Sequence, residues 1–175
     1  ELVAQQLSML QLRSQSRGQC ARAIGPDLRY SAKLLQNLPF RPTGAQQRVL
    51  KDILHDLAQA EPMLRLVQGD VGSGKTLVAA LSALPVIAAG FQVALMAPTE
   101  LLAEQHAATF RRWFEPLGIT VAWLGGKSKG KAREAELATI AQGQAQMVIG
   151  THALFQQSVE FAALALVRSE EHTSE

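Results

Sequence analysis

Cysteine is almost absent from this chain of 175 residues, because Cys20 is the only one. A single thiol excludes disulfide bonds within the chain and zinc sites built from several cysteines, and it fits a reducing compartment. Charge of one sign is also scarce, since 17 Lys and Arg against 15 Asp and Glu leave a net charge of +2. So small an excess does not by itself indicate a nucleic-acid partner.

Long charge-free runs are rare as well, and the longest one does not predict a membrane span. Residues 77–98 carry no charged side chain, but Pro85, Gly90 and Gln92 interrupt the run. This pattern is typical of a buried helix followed by a buried strand, so we expect a soluble protein with no membrane partner. The chain begins at Glu1 with no signal peptide after it, and we therefore expect a cut rather than a natural terminus.

Short apolar segments alternate with helical segments through most of the chain. Strands are predicted at Met63–Gln68, Phe91–Ala97, Thr120–Leu124, Gln146–Gly150 and Leu164–Val167. Helical spacing covers Glu1–Gln19, Leu28–Leu38, Ala45–Ala60, Lys75–Ala89, Glu100–Phe114 and Lys131–Gln142, with a short helical turn near His152–Gln156. This alternation predicts an α/β fold with a mostly parallel sheet, helices on both of its faces, and a helical connector before it.

Residues 69–76 match the phosphate-loop pattern G-x-x-x-x-G-K-[ST] at every fixed position. Glycines let the backbone turn its N–H groups toward phosphate oxygens, and the following helix adds the positive end of its dipole. Lys75 would place its charge on the β- and γ-phosphates, while the Thr76 hydroxyl would ligate Mg²⁺. The candidate nucleotide-binding residues here are Gly69, Asp70, Val71, Gly72, Ser73, Gly74, Lys75 and Thr76.

The phosphate loop leaves the task of the protein open. A nucleic-acid translocase, a kinase or switch acting on a small molecule or protein, and a binding fragment without turnover all remain compatible with it. A translocase should carry further motifs on the sheet edge that faces nucleic acid, whereas a kinase should carry a lid and an acceptor pocket.

Three further motifs favour the translocase. They are "LPFRPTGAQQRVLKDI" at 38–53, "APTELLAEQH" at 97–106 and "VIGTHALFQ" at 148–156. Together with "GDVGSGKT" they closely resemble superfamily-two DNA helicases and, within them, the RecG branch-migration helicases of bacteria. Residues 38–167 resemble the first RecA-like motor lobe of that family, and "ELVAQQLSMLQLRSQ" resembles the connector before it. The related motor of the transcription-repair coupling factor, Mfd, is an alternative that the connector disfavours.

The resemblance implies an ATP-dependent DNA helicase that moves Holliday junctions and stalled replication forks. It implies ATP and Mg²⁺ as cofactors, DNA with forks or four-way junctions as partner, and a monomeric motor associated with the nucleoid in the bacterial cytoplasm. The implied organisation is a helical connector at 1–38, an incomplete first RecA-like lobe at 39–167, and a tail at 168–175.

Phe40 and Gln46 would belong, by this resemblance, to the family's adenine-reading Q motif. A glutamine amide can accept from the adenine amino group and donate to a ring nitrogen. Thr43 and Gln46 also form a T-x-x-Q capping box at a helix start, and the two roles are compatible.

DNA contacts are expected in three segments that follow predicted strands, two of them by the resemblance and the third, at 125–133, by its composition beside those two. The residues are Pro98, Thr99, Glu100, Gly125, Gly126, Lys127, Lys129, Thr151 and His152. Lysines on the glycine-rich stretch "GGKSKGKAR" suit phosphate contact without sequence reading, although a solvated basic loop has the same composition. Thr99 is also expected to cap its helix, and for Glu100 a solvated helix face is the simpler interpretation.

The last eight residues depart from the family pattern. In the family, the strand matching "ALALV" runs into apolar residues and then Asp-Glu-x-His, whose acidic pair holds Mg²⁺. Here Val167 is followed by "RSEEHTSE", which is what the common sequencing-library adapter AGATCGGAAGAGCACACGTCTGAA encodes in one frame. We therefore expect Arg168–Glu175 to be read-through on a truncated gene fragment. The acidic pair and the second lobe would then be absent, leaving Lys75 as the catalytic candidate and a fragment inactive by itself.

Overall fold

The computed structural model describes residue 7 and residues 20–27, 29–126 and 129–170. The predicted helix at Glu1–Gln19 therefore lies outside the described residues, apart from Leu7. The chain divides into two compact units, one made of residues 1–26 and 42–82 and the other of residues 27–41 and 83–175. Within the described part, no helix combines the length and the apolar content that crossing a membrane requires.

The described residues form five α-helices and four strands. The helices are α1 (Ser31–Asn37), α2 (Gly44–Leu57), α3 (Lys75–Ala88), α4 (Glu100–Phe114) and α5 (Lys131–Ala141). The strands are β1 (Gln92–Met96), β2 (Val121–Leu124), β3 (Met147–Gly150) and β4 (Leu164–Ser169). Short 3-10 helices cover Glu115–Leu117 and His152–Phe155.

In the first unit, α2 is the main regular element. Thr43 caps its start and Gln46 completes a capping box, as the sequence predicts. The segment before Pro26 is tied to the end of the helix, because the backbone N–H of Ile24 donates to the carbonyl of Leu57 at 2.8 Å. The side chains of both residues are buried.

The strand predicted at Met63–Gln68 is not formed. Residues 62–70 have no regular secondary structure. An apolar run becomes a strand only where a neighbouring strand supplies hydrogen-bond partners. The four strands of the described sheet all lie in the second unit.

The second unit is built on a parallel sheet with the strand order β2-β3-β1-β4. Strands β1, β2 and β3 are buried almost throughout, as expected for a sheet covered on both faces. Strand β4 continues two residues beyond the predicted end at Val167, because Arg168 and Ser169 pair with β1. Strand pairing uses backbone groups, so it tolerates an arginine and a serine here.

The core of the second unit is apolar with one buried amide. A cluster of Ala94, Ala122, Leu124, Ile140, Ala145, Val148 and Leu154 fills the space beside the sheet. Gln92 is 2% exposed at the start of β1. Its amide nitrogen donates to the carbonyls of Ile140 and Ala145 at 2.9 and 2.8 Å, and its amide oxygen accepts from the N–H of Ala163 at 2.9 Å. Gln92 thus joins β1 to the segments that lead into β3 and β4.

Asp27 fixes the approach to α1. Its carboxylate accepts hydrogen bonds from the backbone N–H groups of Arg29, Tyr30 and Ser31 and from the Ser31 hydroxyl, at 2.7 to 2.9 Å. Partial burial would raise the pKa of this carboxyl, but the hydrogen bonds outweigh it and leave the pKa below its ordinary value. The carboxylate therefore stabilises the fold at neutral pH, and this contribution is lost only as the pH falls through the lowered pKa.

Candidate functional site

The phosphate loop of the first unit adopts a conformation that depends on glycine. Gly72 and Gly74 have φ angles of 82° and 78°, in the left-handed region that other residues rarely adopt. Between them the N–H of Ser73 donates to the carbonyl of Asp70 at 3.0 Å, which closes a turn. Helix α3 begins directly afterwards, at Lys75. The motif therefore places a helix N-terminus at the end of a glycine turn, the arrangement that binds phosphate.

Lys75 lies against the loop that precedes it. Its ammonium group donates to the carbonyl of Gly69 and, at 2.9 Å, to the carbonyl of Asp70. Both acceptors are neutral, and a hydrogen bond from an ammonium to a phosphate oxygen is the stronger, charge-assisted kind. The loop, its cation and the Thr76 hydroxyl thus form a donor set that fits a Mg²⁺-bound phosphate chain.

Gln46 contacts the phosphate loop, and the sequence did not predict this contact. Its amide oxygen accepts from the N–H of Thr43 at 2.9 Å, while its amide nitrogen donates to the carbonyl of Ser73 at 2.7 Å. A Cβ on Gly74 would overlap the same amide group. Gln46 therefore stabilises the glycine turn by a contact with Ser73, which lies 27 positions later in the sequence. Phe40 belongs to the second unit, where its side chain is 47% exposed.

In the second unit, the carboxyl end of β1 leads into α4 through Pro98 and Thr99, and both side chains are exposed. The Thr99 hydroxyl accepts from the N–H of Leu102 at 3.3 Å, so the predicted helix cap is confirmed. Parallel strands end at one edge of their sheet, and ligands of open α/β sheets bind at that edge.

The carboxyl edge also carries the loop that follows β2. Gly126 donates its backbone N–H to the carboxylate of Glu100 at 2.5 Å. The carbonyl of the preceding Gly125 accepts from the Arg133 guanidinium at 3.4 Å. Lys127 lies outside the described residues, whereas Lys129 is exposed. The predicted DNA segments at 98–100 and 125–126 are therefore in direct contact.

The third predicted segment follows β3 and packs more tightly. Thr151 is 8% exposed, and its carbonyl accepts from the N–H of Leu154 at 3.0 Å, while His152 is exposed. A Cβ on Gly150 would lie 2.9 Å from the Leu154 side chain and 3.0 Å from the carbonyl oxygen of Leu124. Glycine at this position lets the end of β3 pass close to the end of β2.

A group of three or more His, Cys, Asp or Glu side chains able to hold a metal ion is not found among the described residues. The predicted Mg²⁺ site at Thr76 involves one protein hydroxyl together with phosphate oxygens, so it does not require such a group.

The model of the family described as "DEAD/DEAH box helicase" matches residues 43–173 of this chain. The chain belongs to the DEAD/DEAH box helicase family. This membership decides between the translocase and the kinase in favour of the helicase. DEAD/DEAH box helicases use ATP and Mg²⁺ in general, which agrees with the phosphate loop described above.

Among curated relatives, the chain is 62% identical over 167 residues to the ATP-dependent DNA helicase RecG of Escherichia coli strain K12. The protein of the same name from Haemophilus influenzae is 59% identical over 167 residues. Each match covers 95% of this chain and 24% of the relative, so the chain spans about a quarter of the length of these helicases.

A solved structure of RecG bound to a three-way DNA junction superposes with a TM-score of 0.83 at 39% identity. It covers 97% of this chain, which covers 24% of it. A hypothetical ATP-dependent RNA helicase from Sulfolobus tokodaii matches with a TM-score of 0.61 at 20% identity, over 80% of this chain and 40% of that one. The second likeness concerns the fold alone, a RecA-like helicase lobe.

Proposed function

We propose that this chain is the first motor lobe of an ATP-dependent DNA helicase that moves branched DNA, such as stalled forks and four-way junctions. The observation that carries the proposal is the 62% identity over 167 residues to the ATP-dependent DNA helicase RecG of Escherichia coli strain K12. The bacterial origin of the relatives supports a bacterial cytoplasmic location for the parent protein. Its action as a monomer on nucleoid DNA is part of the same proposal.

Nucleotide binding is assigned to the phosphate loop. ATP supplies the hydrolysable phosphate bond, while Lys75 neutralises phosphate charge and the Thr76 hydroxyl ligates Mg²⁺. Gln46 reads adenine and, through the Ser73 carbonyl, is linked to the loop that holds the phosphates.

DNA binding is assigned to the carboxyl edge of the second unit. The exposed Thr99 at the start of α4 and the exposed Lys129 offer a hydroxyl donor and a positive charge to phosphate oxygens, and the assignment also includes Gly125, Gly126 and Lys127 of the same stretch of sequence. The assignment also includes the exposed Pro98 and His152 and the largely buried Thr151. Hydroxyl and ammonium groups bind phosphate without reading sequence, which suits a motor that moves along any DNA.

The DNA assignment predicts that Lys129→Ala weakens binding of a fluorescein-labelled forked DNA by about two- to fivefold at low salt. It should also reduce the slope of log K against log salt by about 1, because one phosphate contact is lost. Fluorescence anisotropy titrations at several NaCl concentrations measure both quantities. Lys51→Ala removes the same charge from an exposed position on α2 and serves as the control. An equal effect of both substitutions would contradict the assignment.

Residues 168–175 are proposed to be foreign to the lobe. Matches to the relatives extend over 167 residues, which is 95% of this chain. The family model, by contrast, extends to residue 173 and so includes Glu170 and Glu171. We give more weight to the adapter identity, because it accounts for all eight residues and the family model does not.

The proposal for residues 168–175 predicts the nucleotide sequence that follows the codon for Val167 in the source DNA. Sequenced from an independent library, the codons after Val167 should encode apolar residues and then Asp-Glu-x-His. Recovery of the codons for Arg168–Glu175 followed by a stop would overturn it.

A further inference from the structure

Glu100 presents a problem for a DNA-binding edge, because its negative charge repels phosphate. It is the first residue of α4 and is partly buried. Its carboxylate oxygen lies 2.5 Å from the backbone nitrogen of Gly126. A carboxylate that accepts from a backbone N–H makes a short, charge-assisted hydrogen bond.

The contact between Glu100 and Gly126 crosses the sheet edge. Glu100 follows β1 and Gly126 follows β2, while β3 lies between these strands. Neighbouring strands are about 4.8 Å apart, so the helix start and the loop are drawn together across a gap of about 10 Å. The contact therefore links two chain segments that the sheet holds apart.

Two other side chains hold the same loop. The Arg133 guanidinium donates to the carbonyl of Gly125, and a Cβ on Gly125 would lie 3.0 Å from the Trp123 ring. Gly125 is buried as a result. Adjacent glycines have more conformational freedom than any other pair, so without such contacts the loop would have to be ordered when a ligand binds.

We propose that Glu100 is a positioning residue, which holds the backbone of Gly125 and Gly126 in the conformation that receives a DNA phosphate. The inference rests on the proposed function, since the loop must contact DNA for the positioning to matter. Glu100 itself does not touch the DNA. It lowers the entropic cost of binding by ordering the glycine loop in advance.

The sign of the effect separates this role from a bystander role. Removing a negative charge near bound DNA strengthens binding by simple electrostatics. Removing a positioning residue weakens binding although the charge has become more favourable. We expect Glu100→Ala to weaken binding of a fluorescein-labelled single-stranded oligonucleotide about three- to tenfold, as measured by anisotropy with the full chain. Glu100→Gln retains an acceptor oxygen and should recover most of the affinity.

Glu104→Gln is the matched control. It removes the same charge one helical turn later, from an exposed position on α4, and should leave affinity unchanged or slightly tighter. Tighter or unchanged binding by Glu100→Ala would overturn the proposal. Circular dichroism and thermal unfolding establish that each variant is folded.

Amide hydrogen exchange in the absence of DNA provides an independent readout. Glu100→Ala should accelerate exchange of the Gly126 N–H, and Glu104→Gln should not. Unchanged exchange of the Gly126 N–H would contradict the inference, whatever the DNA affinities of the variants are. If the unsubstituted chain does not bind DNA, the proposed function is wrong, and so is the DNA role of Glu100. This holds even if Glu100→Ala accelerates exchange of the Gly126 N–H.

Discussion

Replacing Lys75 by alanine is expected to weaken ATP binding to this chain by about 10- to 100-fold. The ammonium of Lys75 lies on the carbonyls of Gly69 and Asp70, both neutral groups of the phosphate loop. Its move to phosphate oxygens therefore replaces ordinary acceptors with anionic ones, and the gain is lost in the variant. The loop itself should survive, because its turn depends on the positive φ angles of Gly72 and Gly74.

Titration with a fluorescent ATP analogue in the presence of Mg²⁺ measures the Lys75 effect. Binding is the right quantity, because the substitution removes a direct contact to phosphate oxygens. Lys51→Ala, an equal charge change on α2, should bind as the unsubstituted chain does. A dissociation constant of Lys75→Ala within twofold of that chain would remove the phosphate loop from the proposed site.

Replacing Gln92 by alanine is expected to destabilise the second unit by about 3 to 5 kcal/mol. The substitution deletes three hydrogen bonds at once and leaves the carbonyls of Ile140 and Ala145 and the N–H of Ala163 without this partner. Buried polar groups that lose a partner forfeit their solvation without compensation. An effect of this size is a large share of the stability of an ordinary domain.

Urea denaturation followed by circular dichroism measures the Gln92 effect. Gln144→Ala is the control, because this glutamine is exposed and its side-chain amide donates to the equally exposed side chain of Gln142. The control should change stability by less than about 0.5 kcal/mol. If the Gln92 variant does not fold and the control does, the destabilisation is larger than expected and the prediction is confirmed. A loss of unfolding free energy below about 1 kcal/mol would contradict the stabilising role of the three Gln92 hydrogen bonds.

Much of the second unit was predictable, because β1, β2 and β3 are buried on both faces. The mostly apolar runs at 91–97, 120–124 and 146–150 have few alternatives in a chain where helices separate them. The structure shortens each run by one or two residues. The run at 63–68 is also mostly apolar, although it contains Arg65, yet residues 62–70 have no regular structure. A strand forms only where a partner strand is available, and the composition of a segment does not show whether one is.

In the candidate site too, local features were predictable from the sequence and long-range contacts were not. The phosphate-loop motif predicted the glycine turn and the helix start, because those depend on local backbone geometry. The contacts of Gln46 with Ser73 and of Glu100 with Gly126 span 27 and 26 positions. They depend on which segments the fold brings together, and one sequence leaves that open. Gln92 was interpreted as an interruption of an apolar run, since an amide that is fully bonded inside a core looks like a surface residue in the sequence.

The strand order has a consequence for synthesis on the ribosome. Strand β1 leaves the ribosome first, yet its partners β3 and β4 are the last strands to be made. About 50 residues separate the end of β1 from the start of β3, which corresponds to about 3 to 10 s of translation. During that interval the apolar segment "QVALM" has no strand to pair with, and the chain depends on chaperones or on α3 and α4 to shield it. The central pairing of this sheet, between β1 and β3, therefore cannot form until β3 has emerged.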